Sequence, residues 1–231
     1  MKDVKEYLSG KVYPGRGIVC GLTADGQNIF LAYFIMGRSE NSRNRIFEKI
    51  ESDIRTKAFD ENKMKDPSLI IYRPVCHMKD KIIITNGDQT ETIYEYFCKD
   101  QSFEDALKTR TYEPDDPNFT PRISLLLDYE NDLKYKLSII KRDSGEKPKH
   151  CFYEYKPQRG KGHIIHTYFD NADPLPAFEG EPVEIFIPES FEEFTNSIWE
   201  GLNEENKISL FTECINVNSK KITSMIKNKN E

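Results

Sequence analysis

The chain is 231 residues long, 37% hydrophobic and 31% charged, enough for one large domain or two small ones whose core needs no disulfide or metal. Lys and Arg number 33 against 39 Asp and Glu, and the net charge of −6 speaks against a long stretch of nucleic acid backbone as partner while allowing a small anion held by a few arginines. With a mean hydropathy of −0.68, no apolar run near the roughly 20 residues of a membrane helix, and acidic residues where a signal peptide has its basic and apolar regions, the sequence predicts a cytoplasmic protein with no membrane partner.

In chain order, the apolar runs 17–22 and 28–35 flank Thr23-Ala24-Asp25-Gly26-Gln27, whose Asp-Gly step suits the positive φ of a tight turn, so a hairpin is predicted. Residues 44–57 are polar and helix-compatible. Strand-like runs at 69–76 and 81–85, joined by the polar link 77–80, predict a second hairpin. Residues 89–109, apolar at Ile93, Tyr94, Phe97, Phe103, Ala106 and Leu107, predict two short amphipathic helices with Ser102 as a cap. A proline-rich loop at 112–121 leads to strand-like 123–127 and 135–140, a basic loop at 141–149, and a strand-like run at 162–169. Residues 189–202 read as a helix opening near Pro188 and stopping at Gly201, with Phe191, Phe194, Ile198 and Trp199 on its core face, before a last strand pair at 208–217 and 221–226. Lacking an internal repeat or a dividing linker, residues 1–231 are predicted to form one α+β domain, antiparallel sheet with helices packed on it, plus a polar excursion around 142–162.

Cys20, Cys76, Cys98, Cys151 and Cys214 are odd in number, widely spaced and without a CxxC pair, which predicts reduced, mostly buried thiols. Of His77, His150, His163 and His166 only the last two are close, and a spacing of three on a strand puts them on opposite faces, so no metal site is predicted. No nucleophile elbow, phosphate loop or dinucleotide fingerprint is present. Gly37-Arg38-Ser39-Glu40-Asn41-Ser42-Arg43-Asn44-Arg45 gathers three arginines and two serines after a strand-like run, a donor set suited to a phosphate, or else a solvated loop. The segment Tyr112-Glu113-Pro114-Asp115-Asp116-Pro117-Asn118-Phe119-Thr120-Pro121-Arg122 sets three carboxylates, an amide and an arginine in a proline-stiffened loop, which suits a positioned carboxylate or an ordinary acidic turn.

Taken in order, Tyr13-x-Gly15-Arg16-Gly17, Ala32-Tyr33, Arg38-Ser39, Asn44-Arg45, Ile84-Thr85-Asn86-Gly87-Asp88-Gln89-Thr90 and the 113–123 string closely resemble the archaeal-type IMP cyclohydrolase family. The resemblance covers roughly residues 13–128, and its most specific element is the string from Glu113 to Ile123.

The resemblance implies a four-layer αββα sandwich like that of N-terminal-nucleophile hydrolases, and an enzyme that closes 5-formamidoimidazole-4-carboxamide ribotide to inosine monophosphate, the last step of purine nucleotide assembly. Ring closure calls for a held conformer, a donor for the formyl oxygen and an acceptor for the amide proton, and for no cofactor. Under it Glu113 is the expected acceptor, Arg38 and Tyr72 the donors, Arg45 and Arg122 the phosphate ligands with Ser39 beside them, and Asn44, Asn86, Asp88 and Asn118 the groups for ribose hydroxyls or the carboxamide. Gly87 and Thr120 belong to the same binding segments. The expected partner is a small purine ribotide, with a homo-oligomer left open. Two rivals stand beside this reading: a C–N amide hydrolase of the same fold, which needs an unmasked nucleophile where this sequence starts with Met1, and a purine-ribotide sensor without turnover.

Overall fold

The computed structural model describes residues 1–65, 67, 70–130 and 133–230. Alternation of large apolar residues around a five-residue turn makes the first hairpin, β1 (Arg16–Leu22) and β2 (Asn28–Met36), paired with Val19 opposite Ala32, and Gly26 in the turn adopts a positive φ of 75°. Both strands are buried on both faces, which explains their nearly unbroken apolar runs. Around this hairpin stand β10 (Lys161–His166), β11 (Val183–Phe186), β12 (Lys207–Asn216) and β13 (Ile222–Asn228), in the order β11-β10-β1-β2-β12-β13.

The second sheet runs in chain order: β3 (Arg45–Ile50), β4 (Asp53–Ala58), β5 (Val75–His77), β6 (Lys81–Thr85), β7 (Arg122–Asp128), β8 (Lys134–Arg142) and β9 (Pro148–Tyr155). Every paired strand in the two sheets is antiparallel, so among the described residues the chain is mixed α/β with mostly antiparallel sheets.

Inner faces of the two sheets share one core, in which Ile18, Leu31 and Tyr33 meet Phe47, Ile84, Leu125 and Leu137. On the far side of the first sheet, Val4 and Leu8 of α1 (Val4–Ser9) and Phe194 and Ile198 of α5 (Phe191–Gly201) pack on Phe30, Phe34 and Ile164. The far side of the second sheet is covered by α3 (Gln89–Phe97) and α4 (Phe103–Lys108), through Ile93, Phe103 and Leu107 against Ile83 and Leu126. No helix among the described residues is long and apolar enough to cross a membrane.

Several expected elements stand where the sequence puts them: the first hairpin, the paired helices with Ser102 capping α4 through the Asp105 N–H, and the late helix, capped by Ser190. The helix expected over 44–57 is instead the β3–β4 hairpin, preceded only by the four-residue α2 (Glu40–Arg43). Its polar residues mislead because they lie on an outward face alternating with buried Phe47, Ile54 and Thr56, which is a period of two. The polar excursion at 142–162 contains the strand β9, whose Cys151, Tyr153 and Tyr155 turn to the core while Phe152 meets Phe103 edge to face. The strand-like run at 69–76 shrinks to β5, Leu69 lying outside the described residues; the Tyr72 backbone is tied to β4 by three hydrogen bonds with Thr56.

His77 of β5 reaches across to the other sheet and donates from Nε2 to both Glu213 oxygens of β12, at 3.1 and 3.0 Å. Burial works against the charge on this imidazole, but Asp53 and Glu213 outweigh it and lift its pKa to about 9. His163 and His166 lie on opposite faces of β10, held by Tyr135 and by Tyr7 respectively.

Candidate active site

The 112–121 loop is closed by its own backbone and polar side chains. Glu113 N–H donates to the Thr120 carbonyl at 2.9 Å, and Asn118 and Phe119 N–H groups donate to the Asp115 carbonyl at 2.9 and 3.1 Å. Glu113 is thereby fixed just before β7, with its carboxylate almost fully buried. Arg16, the first residue of β1, reaches across from the other sheet and donates from Nη2 to both Glu113 oxygens, each at 2.9 Å. Burial lifts the Glu113 carboxyl above the usual range, with Arg16 and Arg122 opposing. For Arg16 burial acts against the charge, and Glu113 with the surrounding tyrosines more than offsets it, so the guanidinium stays well above its ordinary pKa.

Behind Glu113 lies a network of buried polar side chains. Asn86 donates to Glu113 Oε1 at 3.4 Å and to the Pro121 carbonyl at 3.0 Å, and its oxygen accepts from Ile123 N–H and Gln89 Nε2. Arg122 donates to the Thr111 carbonyl, Asp88 and Gln89, at 2.7 to 2.9 Å. Gly87 leaves room for this network, since a Cβ there would come within 2.7 Å of Arg122 Nη1 and 2.8 Å of Gln89 Oε1 and displace one or both side chains. Thr120 joins its hydroxyl to Asp115 Oδ2 and to the Tyr168 hydroxyl.

In front of Glu113 opens a cleft of about 220 Å³ whose lining includes Tyr13, Arg16, Ser42, Arg45, Glu113 and Asp115. Arg45 opens β3 and is held by its Nε donating to the Ser42 carbonyl at 2.8 Å; burial, with the neighbouring Arg16 adding to it, depresses its pKa. The hydroxyls of Tyr33 and Tyr72 lie 2.7 Å apart, and both interact electrostatically with Arg16 and Arg45. Two guanidiniums, the Tyr13 phenol and two carboxylates thus line one small concave space, a set of groups that can hold an anion and move a proton.

The structure brings the expected Arg45 and Glu113 to this cleft, sets Tyr72 among its charges, and places Asn86, Gly87, Asp88, Thr120 and Arg122 around the carboxylates as support. Arg122 and Asp88 are joined to each other at 2.7 Å and do not line the cleft, whose arginines are Arg16 and Arg45. Ser39 caps α2 through the Ser42 N–H, while Asn44 clasps the backbone of Asp60 and Asn118 accepts from Leu175 N–H. Arg38 is exposed beside the cleft, its guanidinium 5.2 Å from the centroid of the Tyr13 ring and donating to Asn171 and the Ala172 carbonyl at 3.0 Å. Sequence reasoning missed Arg16, Asp115, Ser42, Tyr13 and Tyr33 as site residues. Arg16, Asp115, Tyr13 and Tyr33 stood inside the matching motifs and Ser42 in the arginine-rich segment 37–45, and that was the available signal.

The cleft is made from the two sheets together, Arg16 coming from the first strand of one and Arg45 from the first strand of the other. A family described as IMP cyclohydrolase-like protein matches residues 13–220, and the chain belongs to that family. The match runs well past the stretch 13–128 that carries the resemblance, and takes in Tyr168 and Leu175, which brace the 112–121 loop. The chain is 30% identical over 120 residues to an IMP cyclohydrolase of Methanococcus aeolicus, which is 50% of this chain and 58% of that protein. It is 34% identical over 122 residues to an IMP cyclohydrolase of Methanocaldococcus jannaschii, covering 51% of this chain and 57% of that one. The chain thus spans a little over half the length of these curated relatives.

Proposed function

We propose that the chain is an IMP cyclohydrolase that closes the formamido imidazole carboxamide ribotide to inosine monophosphate, working as one unit over residues 1–231 in the cytoplasm. The observation that carries the reading is the Arg16-held Glu113 in the same cleft as Arg45, within a chain that belongs to the family. The packing of helices on the outer faces of two stacked sheets supports the αββα arrangement of the N-terminal-nucleophile hydrolases as its fold. The hydrolase chemistry of that fold is not part of the proposal: Cys20 is buried within β1 and its thiol is pushed far up by burial.

In the reaction the carboxamide nitrogen attacks the formyl carbon, and an N–C bond forms as the carbonyl electrons move onto oxygen. One proton leaves the carboxamide nitrogen and another the formamido nitrogen, and both depart with the formyl oxygen as water. Glu113 receives and returns these protons, a task suited to a carboxyl that burial has raised. Tyr72, tethered to Tyr33, donates to the developing oxyanion, and Arg38 adds its charge on exchanging Asn171 and Ala172 for the ligand. Arg45 holds the phosphate.

The test is conversion of the formamido ribotide by the purified chain, read as product ultraviolet absorbance with chelator present. Turnover well above the protein-free rate is expected, whereas a folded protein that binds inosine monophosphate and produces none overturns the enzyme reading.

A further inference from the structure

Two carboxylates line the cleft, and they are held in different ways. Glu113 gives both oxygens to Arg16. Asp115 has no cation within ion-pair distance among the described residues; its Oδ1 accepts from the Thr120 backbone N–H at 2.7 Å and its Oδ2 from the Thr120 hydroxyl. That hydroxyl is also joined to Tyr168, whose ring stacks on Tyr13 with centroids 5.9 Å apart, so the carboxylate is fixed from behind. A carboxylate offers roughly four acceptor sites, and Thr120 fills two of them. The remainder is a rigid acceptor pair that needs donors, and a vicinal diol supplies two O–H groups at matching spacing.

We propose that Asp115 grips the vicinal hydroxyls of the ligand's ribose and makes the cleft select ribose over deoxyribose. The proposal rests on the ribotide reading above and adds a specificity-determining residue to it. The other parts of such a ligand have their own partners: its phosphate is drawn to Arg45, and its base faces Glu113 and Tyr72. Asn44, Asn86, Asp88 and Asn118, the side chains the sequence nominates for hydroxyls, are bonded to the protein itself. A carboxylate without a counterion also repels phosphate, which orients the ligand with its phosphate away from Asp115.

The experiment is calorimetric titration of the full chain with inosine monophosphate and with its 2′-deoxy form, for wild type and Asp115→Asn. The amide is the same size and keeps an oxygen for the Thr120 N–H, and Asp115→Ser, titrated in the same way, serves if the amide variant does not fold. Wild type is expected to bind the ribonucleotide about tenfold or more tightly than the deoxynucleotide, the usual effect of losing a hydrogen bond to a charged group. In the variant the two should bind within about twofold of each other, through loss of ribonucleotide affinity alone. A wild type indifferent to the 2′-hydroxyl, or a folded variant that keeps the full preference, overturns the role of Asp115 and leaves the ribotide reading standing. Failure of both nucleotides to bind wild type overturns the ribotide reading and the proposal with it.

Discussion

Two buried acid–base pairs join the sheets, and only one faces a cleft. His77 and Glu213 link β5 to β12, with Asp53 between His77 and Arg73 and Glu91 on the far side of Arg73, so that each charge of the group has an opposite one beside it. Arg16 and Glu113 do the same between β1 and the loop before β7, but beside them stand a second guanidinium, two phenols and a further carboxylate that pair with no opposite charge among the described residues. Burial and pairing are common to both places. What separates them is a surplus of donors and acceptors next to open space, and such a surplus is what a ligand satisfies.

The sharpest way to break this comparison is to neutralise the cleft carboxylate. Glu113→Gln keeps the size and one acceptor for Arg16 while removing the proton-transfer group, and turnover should fall by about 10²–10⁴ with binding of inosine monophosphate nearly unchanged. A variant whose turnover stays within a few-fold of wild type places the acceptor elsewhere.

A smaller effect is expected at the anion end. Arg45→Ala removes a guanidinium held ready by Ser42, and affinity for every phosphorylated ligand should drop roughly ten- to a hundredfold, while inosine without phosphate loses nothing. Equal losses for nucleotide and nucleoside contradict the assignment of the phosphate to this residue.

Much of the scaffold was legible because local chemistry decided it. The Asp25-Gly26 turn, the Ser102 cap and the proline-stiffened 112–121 loop are set by neighbouring residues, so the sequence announces them. The β3–β4 hairpin was not legible, because its polar face hides an alternation that only burial against the other sheet reveals. Within the site, Glu113 and Arg45 were found from their motifs. Arg16 was missed because its importance lies in meeting Glu113, 97 positions away, and no local pattern encodes that meeting. Arg38 and Thr120 were nominated from the sequence, but their partners were not legible, since Asn171 and Ala172 lie 133 and 134 positions from Arg38 and the tyrosine that braces Thr120 lies 48 positions on.

The smallest effect on the cleft should come from the pair that has no cleft. His77 titrates at about 9 in the folded chain against an ordinary value of 6.5, so its protonated form is favoured by folding. The stability this adds is complete below about pH 6.5 and is lost as pH rises through about 9, a difference of ~3 kcal/mol. His163 and His166, held neutral by burial with pKa values lowered to about 4 and 3, act below pH 6.5 and stay out of this window. For a chain of this length each kcal/mol corresponds to about 2–4 °C in Tm, so wild type should melt roughly 6–12 °C lower at pH 9.5 than at pH 6.5 from this group. Glu213→Gln removes the partner that both Nε2 contacts address, so the variant should melt lower at pH 6.5 and show a much flatter decline toward pH 9.5. Its affinity for inosine monophosphate at pH 7 should match wild type, since neither His77 nor Glu213 lines the cleft. An unchanged melting slope refutes the raised imidazole, and a tenfold change in affinity shows that the two pairs are coupled through the shared core after all.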